Sequence, residues 1–319
     1  MPLRRARLHA AAVAASLSLA AVAACSSSTS STGAAGQAAG PVTVLPGVQV
    51  SADASLHAKL PGPVKAAGQV RVATDVPYAP FEMYADGSTT QLTGIDYDLG
   101  QALGAKLGVR FVFGAQKFDG ILPALQAGKF DAAMAGMTDK KERQQVVDFV
   151  DYSNSGTGLL VAKGNPHGLR QVTDLCGQAV AVQAGTNQEK LIKARQSVCT
   201  QAGKAPISIQ VYPKDSDAQL ALRSGKVAAD VIDLVAAAWT AKTADGGAAF
   251  DAVTDTNAVG GSGASPNGIA VAKNLPELSD AMTQALQALI EDGTYTKILD
   301  HYGVTAIALP KATKNAAVD

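Results

Sequence analysis

Residues 94–113 read Gly94-Ile95-Asp96-Tyr97-Asp98-Leu99 and then GQALGAKLGVRFVF. Leu99, Leu103 and Leu107 recur at the spacing of one helix face, and Val109, Phe111 and Phe113 then alternate as a strand does. The same alternation of strand and helix extends outward from this segment. Val70 and Val72 mark a strand before it. After it, Ile121, Leu122 and Leu125 form a short helix face, with Gly128 placed as a C-cap, and residues 131–136 make a small buried strand. Asp139 with Glu142 three residues later resembles a capping box and predicts a helix ending near Val147. The second half repeats the scheme, with strands at 179–183, 207–211 and 229–232 and helices at 187–194, 217–223 and 234–242. A glycine-rich break covers 246–263, Ile269 and Val271 mark one more strand, and Leu278, Met282, Leu286, Leu289 and Ile290 line a long helix ended by Gly293. This order predicts an α/β protein of two lobes, each an open sheet flanked by helices, with a ligand cleft between them.

Composition narrows the chemistry. The 319 residues suffice for two domains or one large one, and 47% are hydrophobic. Lys plus Arg and Asp plus Glu each total 27, without the basic excess of a nucleic-acid binder. One Trp and an aromatic content of 5% advertise no stacking surface. Three Cys and four His are scattered, without C-x-x-C or H-E-x-x-H spacing, so neither a metal nor a cofactor is implied. A phosphate loop and a G-x-S-x-G elbow are also missing.

The N-terminus reads as an export signal. Arg4, Arg5 and Arg7 precede an apolar run from 10 to 24, too short to span a bilayer comfortably. The run closes on Val22-Ala23-Ala24-Cys25, which resembles a bacterial lipobox whose Cys is acylated; cleavage after the A-x-A sequence at 21–23 is the alternative. A segment rich in Ser, Thr, Ala and Gly follows, and residues 26–67 are expected to be a flexible tether. Cys176 and Cys199 suit the exported setting as a disulfide closing a loop of about 24 residues, the alternative being two buried thiols.

Three segments carry candidate chemistry. Asp75-Val76-Pro77-Tyr78-Ala79-Pro80-Phe81-Glu82 follows the first strand, where open α/β sheets line their ligand crevice; a locally packed turn is the other reading. In residues 135–143 a strand ends at Gly136, Met137 and Thr138, and the expected helix would offer free N–H groups to an anion. Arg143 could fork a carboxylate there, or be solvated on a capped helix. Asp230-Val231-Ile232-Asp233 ends a strand in a carboxylate, suited to an ammonium group or to capping the next helix. Gln183-Ala184-Gly185-Thr186-Asn187-Gln188 is a further strand–glycine–helix corner. A carboxylate seat, an ammonium seat and an aromatic wall together match a free α-amino acid.

These residues resemble the polar-amino-acid solute-binding proteins of bacterial ABC importers, of the type II periplasmic-binding-protein fold. The likeness runs from about Val70 to Val304. It rests on Asp75–Glu82, Gly94–Leu99, Asp119-Gly120-Ile121-Leu122-Pro123-Ala124-Leu125, Gly136–Arg143, Val182–Gln188, Gly268-Ile269-Ala270-Val271-Ala272-Lys273 and Asp292-Gly293-Thr294-Tyr295 in that order. The resemblance implies that Arg143 grips the ligand carboxylate, helped by the Gly136–Met137–Thr138 segment, Gly185 and Thr186. It implies Asp233 for the ammonium, Tyr78 and Phe81 as a sandwich, and Asp75 as a contact to a basic or amide side chain. Asp96 and Asp98 read as helix-start residues, and Trp239 as core or hinge packing. Tyr97 and Asp139 depart from the family's usual aliphatic or small residues.

The family's two crossovers are expected near 163–166 and 260–267, giving lobe one as 68–163 with 267–319 and lobe two as 164–266. The implied function is extracytoplasmic capture of an amino acid, polar neutral or basic, for an ABC permease and its ATPase, by a protein held at the membrane through its N-terminal lipid. An enzyme on the same fold, akin to cyclohexadienyl or arogenate dehydratases, and a ligand-sensing lipoprotein are the alternatives.

Overall fold

The computed structural model describes residues 40–255, 258 and 260–318. The signal segment and Cys25 lie outside the described residues. A hairpin of β1 (Val42–Leu45) and β2 (Val48–Val50) comes first, followed by the short helices α1 (Ala54–Ala58) and α2 (Gly62–Ala67). The tether expected over 26–67 is therefore folded from Val42 onward. Val48 and Val50 alternate inward on β2, and Leu56, Leu60 and Val64 recur every fourth residue, so both elements bury apolar faces in the main core. Asp53 caps α1 through the Ser55 and Leu56 N–H groups at 2.8 and 3.2 Å.

The α/β body begins with β3 (Gln69–Thr74), β4 (Met83–Tyr84), β5 (Leu92–Thr93), α3 (Ile95–Leu107), β6 (Arg110–Ala115), α4 (Ile121–Gln126) and β7 (Ala132–Ala133). A long strand, β8 (Val147–Ala162), leads to β9 (Ala179–Gln183), α5 (Asn187–Gln201), β10 (Ser208–Tyr212), α6 (Asp215–Arg223), β11 (Ala229–Asp233), α7 (Leu234–Thr243) and β12 (Phe250–Val253). The chain returns along β13 (Ser262–Ala272) and finishes with α8 (Pro276–Glu291), α9 (Thr294–His301) and β14 (Ala308–Lys314). The main sheet has the order β10-β9-β11-β8-β13-β7-β3-β6, with β12 and β14 also paired to β8. β3 runs parallel to β6 and β7, β9 runs parallel to β10 and β11, and β8 is antiparallel to its partners.

β8 belongs to both ends of this sheet. Its residues 147–157 pair with β13, whereas 157–162 pair with β11 and β12. The packing changes with the pairing. Val150 and Tyr152 join the core of Leu99, Leu103 and Leu286, whereas Leu159 and Val161 join that of Val180, Val182 and Ile192. The passage between halves thus lies inside β8, earlier than the expected 163–166. Continuous burial along a single long strand hides the change of partners from any periodicity. At the passage Gly156 donates its N–H to the Gly260 carbonyl at 2.7 Å. A Cβ on Gly156 would fall 2.4 Å from the Gly261 carbonyl carbon, so glycine is required at this approach.

The helix expected from Asp139 to Val147 does not form. Only the 3-10 turn Arg143–Gln145 precedes β8. Thr138 bridges to Asn267, and the Asp139 N–H bonds to the Pro266 carbonyl at 2.7 Å, so sheet pairing holds the backbone that the capping box would have coiled. The Asp139 carboxylate instead accepts the Gln144 amide at 2.8 and 3.0 Å. The glycine-rich break at 246–263 contains β12 and the first two residues of β13. Cys176 and Cys199 are joined as a disulfide, tying α5 to the segment before β9.

Candidate functional site

Every wall of the site is a loop or an element end set by the sheet. The tight turn after β3 is closed by mutual hydrogen bonds of Tyr78 and Glu82, from the Tyr78 N–H at 2.7 Å and the Glu82 N–H at 3.1 Å. It projects Asp75, Tyr78 and Glu82 into a pocket that also receives Phe118, Gly136 and Thr138. The end of β9, the start of α5 and the end of β11 supply Gln183, Thr186, Asn187, Gln188 and Asp233 from the other side. These walls close on a cavity of only about 20 Å³.

Hydrogen bonds cross this space. Tyr78 Oη donates to Asp233 Oδ2 at 2.8 Å, and Gln183 Nε2 donates to Asp75 Oδ2 at 2.6 Å. Gln188 Nε2 completes the Asp233 carboxylate at 3.2 Å. Thr186 accepts the Glu189 N–H at 3.1 Å as the N-cap of α5 and donates to the Gln183 carbonyl at 2.7 Å. Arg143 spans the two sides: Nη1 donates to the Thr138 carbonyl at 2.7 Å and Nη2 to the Gly185 carbonyl at 3.1 Å. Its guanidinium carbon lies 5.6 Å from the Phe118 ring centre, within cation–π range.

Charge in the pocket is unbalanced toward acid. Asp75, Glu82 and Asp233 are on the walls, and the lining includes neither Lys nor Arg. Burial pushes Asp233 up to about 6, restrained by the hydrogen bonds from Tyr78 and Gln188 and by the charge of Arg143. Burial also raises Asp75. Glu82 is driven well above the usual carboxylate range by burial and then by Asp96, itself raised to about 6 by burial. Both Glu82 oxygens are buried, and the protonated acid shares a side-chain hydrogen bond with Asp96. Asp96 Oδ2 accepts the Gly136 N–H at 2.8 Å, which fixes the Gly136 corner. The guanidinium of Arg143 is shifted down by burial, opposed by nearby acids including Glu142 and Asp233. Buried acids without matching cations favour a cationic guest.

Of the sequence-derived residues, Asp75, Tyr78, Gly136, Thr138, Thr186 and Asp233 meet around the pocket. Arg143 and Gly185 sit beside it, bonded to each other. Two expected residues face elsewhere. Phe81 is fully buried in the core behind Tyr78, its ring parallel within 8° at a centroid distance of 5.8 Å. Met137 packs with Ile121 and Phe149 in the core beside the pocket. The second aromatic of the wall is Phe118. Sequence reasoning passed over Phe118, Gln183, Asn187 and Gln188 as site residues and weighed Glu82 only as the general acid of the enzyme alternative. Phe118 stands one residue before the Asp119–Leu125 motif, and the other four fall inside segments already singled out.

This fold and pocket define a solute-binding protein of the type II periplasmic architecture. The pattern that describes the bacterial extracellular solute-binding proteins, family 3, matches residues 70–305, and the chain belongs to that family. It is 30% identical over 261 residues to the arginine-binding protein ArgT of Corynebacterium glutamicum, covering 82% of each chain. It is 31% identical over 234 residues to the L-cystine-binding protein TcyJ of Escherichia coli, covering 72% of this chain and 81% of that one. Among solved structures, an ancestral arginine-binding protein bound to arginine superposes with a TM-score of 0.63 at 35% identity, covering 74% of this chain and 98% of that chain. An ancestral amino-acid-binding protein described as a precursor of cyclohexadienyl dehydratase gives 0.64 at 35% identity, covering 75% and 97%.

Proposed function

We propose that the protein captures a free amino acid with a basic side chain, arginine first among them, and delivers it to an ABC import permease. The observation that carries this reading is the pairing of Arg143 with a pocket of three buried carboxyl groups, Asp75, Glu82 and Asp233. An α-amino acid with a cationic side chain brings two positive groups and one negative, the complement of Arg143 with Asp75 and Asp233, because Glu82, raised well above the carboxylate range, stays protonated. Arg143 takes the carboxylate with the Thr138 and Thr186 segments, Asp233 takes the ammonium, and Tyr78 and Phe118 cover the side chain. Asp75 remains for the distal cation, with the protonated Glu82 beside it. The arginine-binding relatives support this choice of ligand.

The two halves meeting in β8 and β13 act as lobes that close on the ligand by a hinge. The contacts that cross the pocket, Tyr78 to Asp233 and Gln183 to Asp75, are then the latches of the closed form. Export and acylation at Cys25 would hold the body beside the permease. The test is calorimetric titration of the purified body with L-arginine: 1:1 binding that Arg143→Ala abolishes supports the reading, and near wild-type affinity in that variant overturns it.

An enzyme on the same scaffold is the second reading. The buried Glu82, a candidate general acid in the cleft, and the dehydratase-precursor relative favour it. Incubation with prephenate or arogenate decides: formation of a phenyl product supports dehydratase activity, and unchanged substrate leaves a binder.

A further inference from the structure

A second cavity, of about 380 Å³, shares no residue with the polar pocket. Its floor is the hinge itself, at Asn154, Ser155 and Gly260. One wall is α7, through Leu234, Val235 and Trp239; the other is the segment after α9, through Tyr302, Val304 and Ile307. Trp239 leans on Tyr302 with ring centres 6.0 Å apart. At one edge stands Lys242, three residues along α7 from Trp239 and on the same helix face. Among the described residues its ammonium has no ion pair or hydrogen bond, and the exposed Asn154 side-chain amide has none either. Lys242 is exposed.

We propose that this cavity binds a small amphipathic monocarboxylate, an arylalkyl or medium-chain acid, at a site separate from the amino-acid pocket. Its volume suits one small molecule. The apolar body covers Trp239, Leu234, Val304 and Ile307, and the carboxylate reaches Lys242 and the Asn154 amide. A purely apolar occupant leaves the ammonium unanswered, and a bare inorganic anion leaves the aromatic walls uncovered. The site also touches the hinge and both halves of the molecule. One helix links the pockets: α7 begins after Asp233 on the polar wall and carries Leu234, Trp239 and Lys242 on the apolar one. Occupancy is therefore coupled to cleft closure, and by linkage the amino acid changes the affinity of the carboxylate by the same factor.

Trp239 is the only tryptophan of the chain, so its fluorescence reads the cavity directly. The experiment titrates the folded protein with 4-phenylbutyrate and with octanoate, with and without saturating L-arginine. Both acids are expected to change the Trp239 signal saturably in either condition. Lys242→Met is expected to weaken them about tenfold, equivalent to about 1.4 kcal/mol, and octanol is expected to bind wild-type protein as weakly. Ala238→Leu, which places a larger side chain in the cavity, is expected to abolish the change. A signal that never saturates overturns the proposal, as does one displaced completely by arginine or one untouched by Lys242→Met. Should Ala238→Leu fail to fold by circular dichroism, Lys242→Met decides alone.

Discussion

Asp233→Asn removes one charge from the pocket while keeping the shape of the side chain. In the ligand-free site burial raises Asp233 from its ordinary 3.8 to about 6, so holding it ionised costs about 3 kcal/mol. A ligand ammonium offsets that cost, and truncating one member of a buried ion pair typically loses about 3–5 kcal/mol. The variant should therefore bind L-arginine about 150- to 5,000-fold more weakly at pH 7.5, measured by calorimetry. The acid's raised pKa fixes the sign of the pH dependence. Asp233 burdens the ligand-free fold increasingly as pH rises from about 3.8 to about 6, and a bound cation removes the burden. Wild-type affinity is thus level above about pH 6 and falls up to about tenfold per pH unit below it, whereas the Asn variant lacks this component. Binding by Asp233→Asn within threefold of wild type, or identical pH profiles for the two proteins, would refute the reasoning.

Three other outcomes follow from the same geometry. Arg143→Ala should lower ligand affinity at least about 100-fold while leaving the melting transition cooperative, because it removes the cation proposed to clamp the ligand carboxylate; calorimetry with a melting curve checks both halves. Gly156→Ala should destabilise the fold by about 1–3 kcal/mol, read as a lower urea midpoint, since its Cβ would meet the Gly261 carbonyl at 2.4 Å. Reducing the Cys176–Cys199 bridge, whose partners are 23 residues apart, should cost about 3 kcal/mol on the same urea assay.

The strand–helix alternation was legible wherever one periodicity governed a segment. Leu99, Leu103 and Leu107 on α3, and the apolar face of α8, declared themselves because each faces a single core. β8 did not, since its residues 147–157 serve one half and 157–162 the other while nearly all are buried. The 139–147 segment misled for a related reason: its local capping signal was overruled by hydrogen bonds to Pro266 and Asn267, more than a hundred residues away. Residues 42–67 were masked by the low-complexity stretch before them, although the spacing of Leu56, Leu60 and Val64 is helical.

The polar seats of the candidate site were legible because carboxylates, a glycine and a threonine stand where strands end, at the positions that line the crevice of an open α/β sheet. Asp75, Thr138 and Asp233 reach the pocket on that logic. The side-chain pocket was less so. Phe81 and Phe118 are both aromatics beside motifs, and only tertiary packing sends the first into the core and the second to the wall. Glu82 looks like an ordinary surface acid in sequence and is one of the most thoroughly buried carboxyl groups on the site.

The central claim is that a free amino acid with a basic side chain fills this pocket. A thermal-shift panel of the twenty amino acids tests it most directly, run on protein that has been unfolded and refolded to strip any bound ligand. A ligand that binds only the folded state raises Tm as ln(1 + [L]/Kd). Arginine is expected to give the largest shift, lysine a smaller one, and aspartate and glutamate none. A larger shift with an acidic amino acid, or no shift with any basic one, would contradict the account.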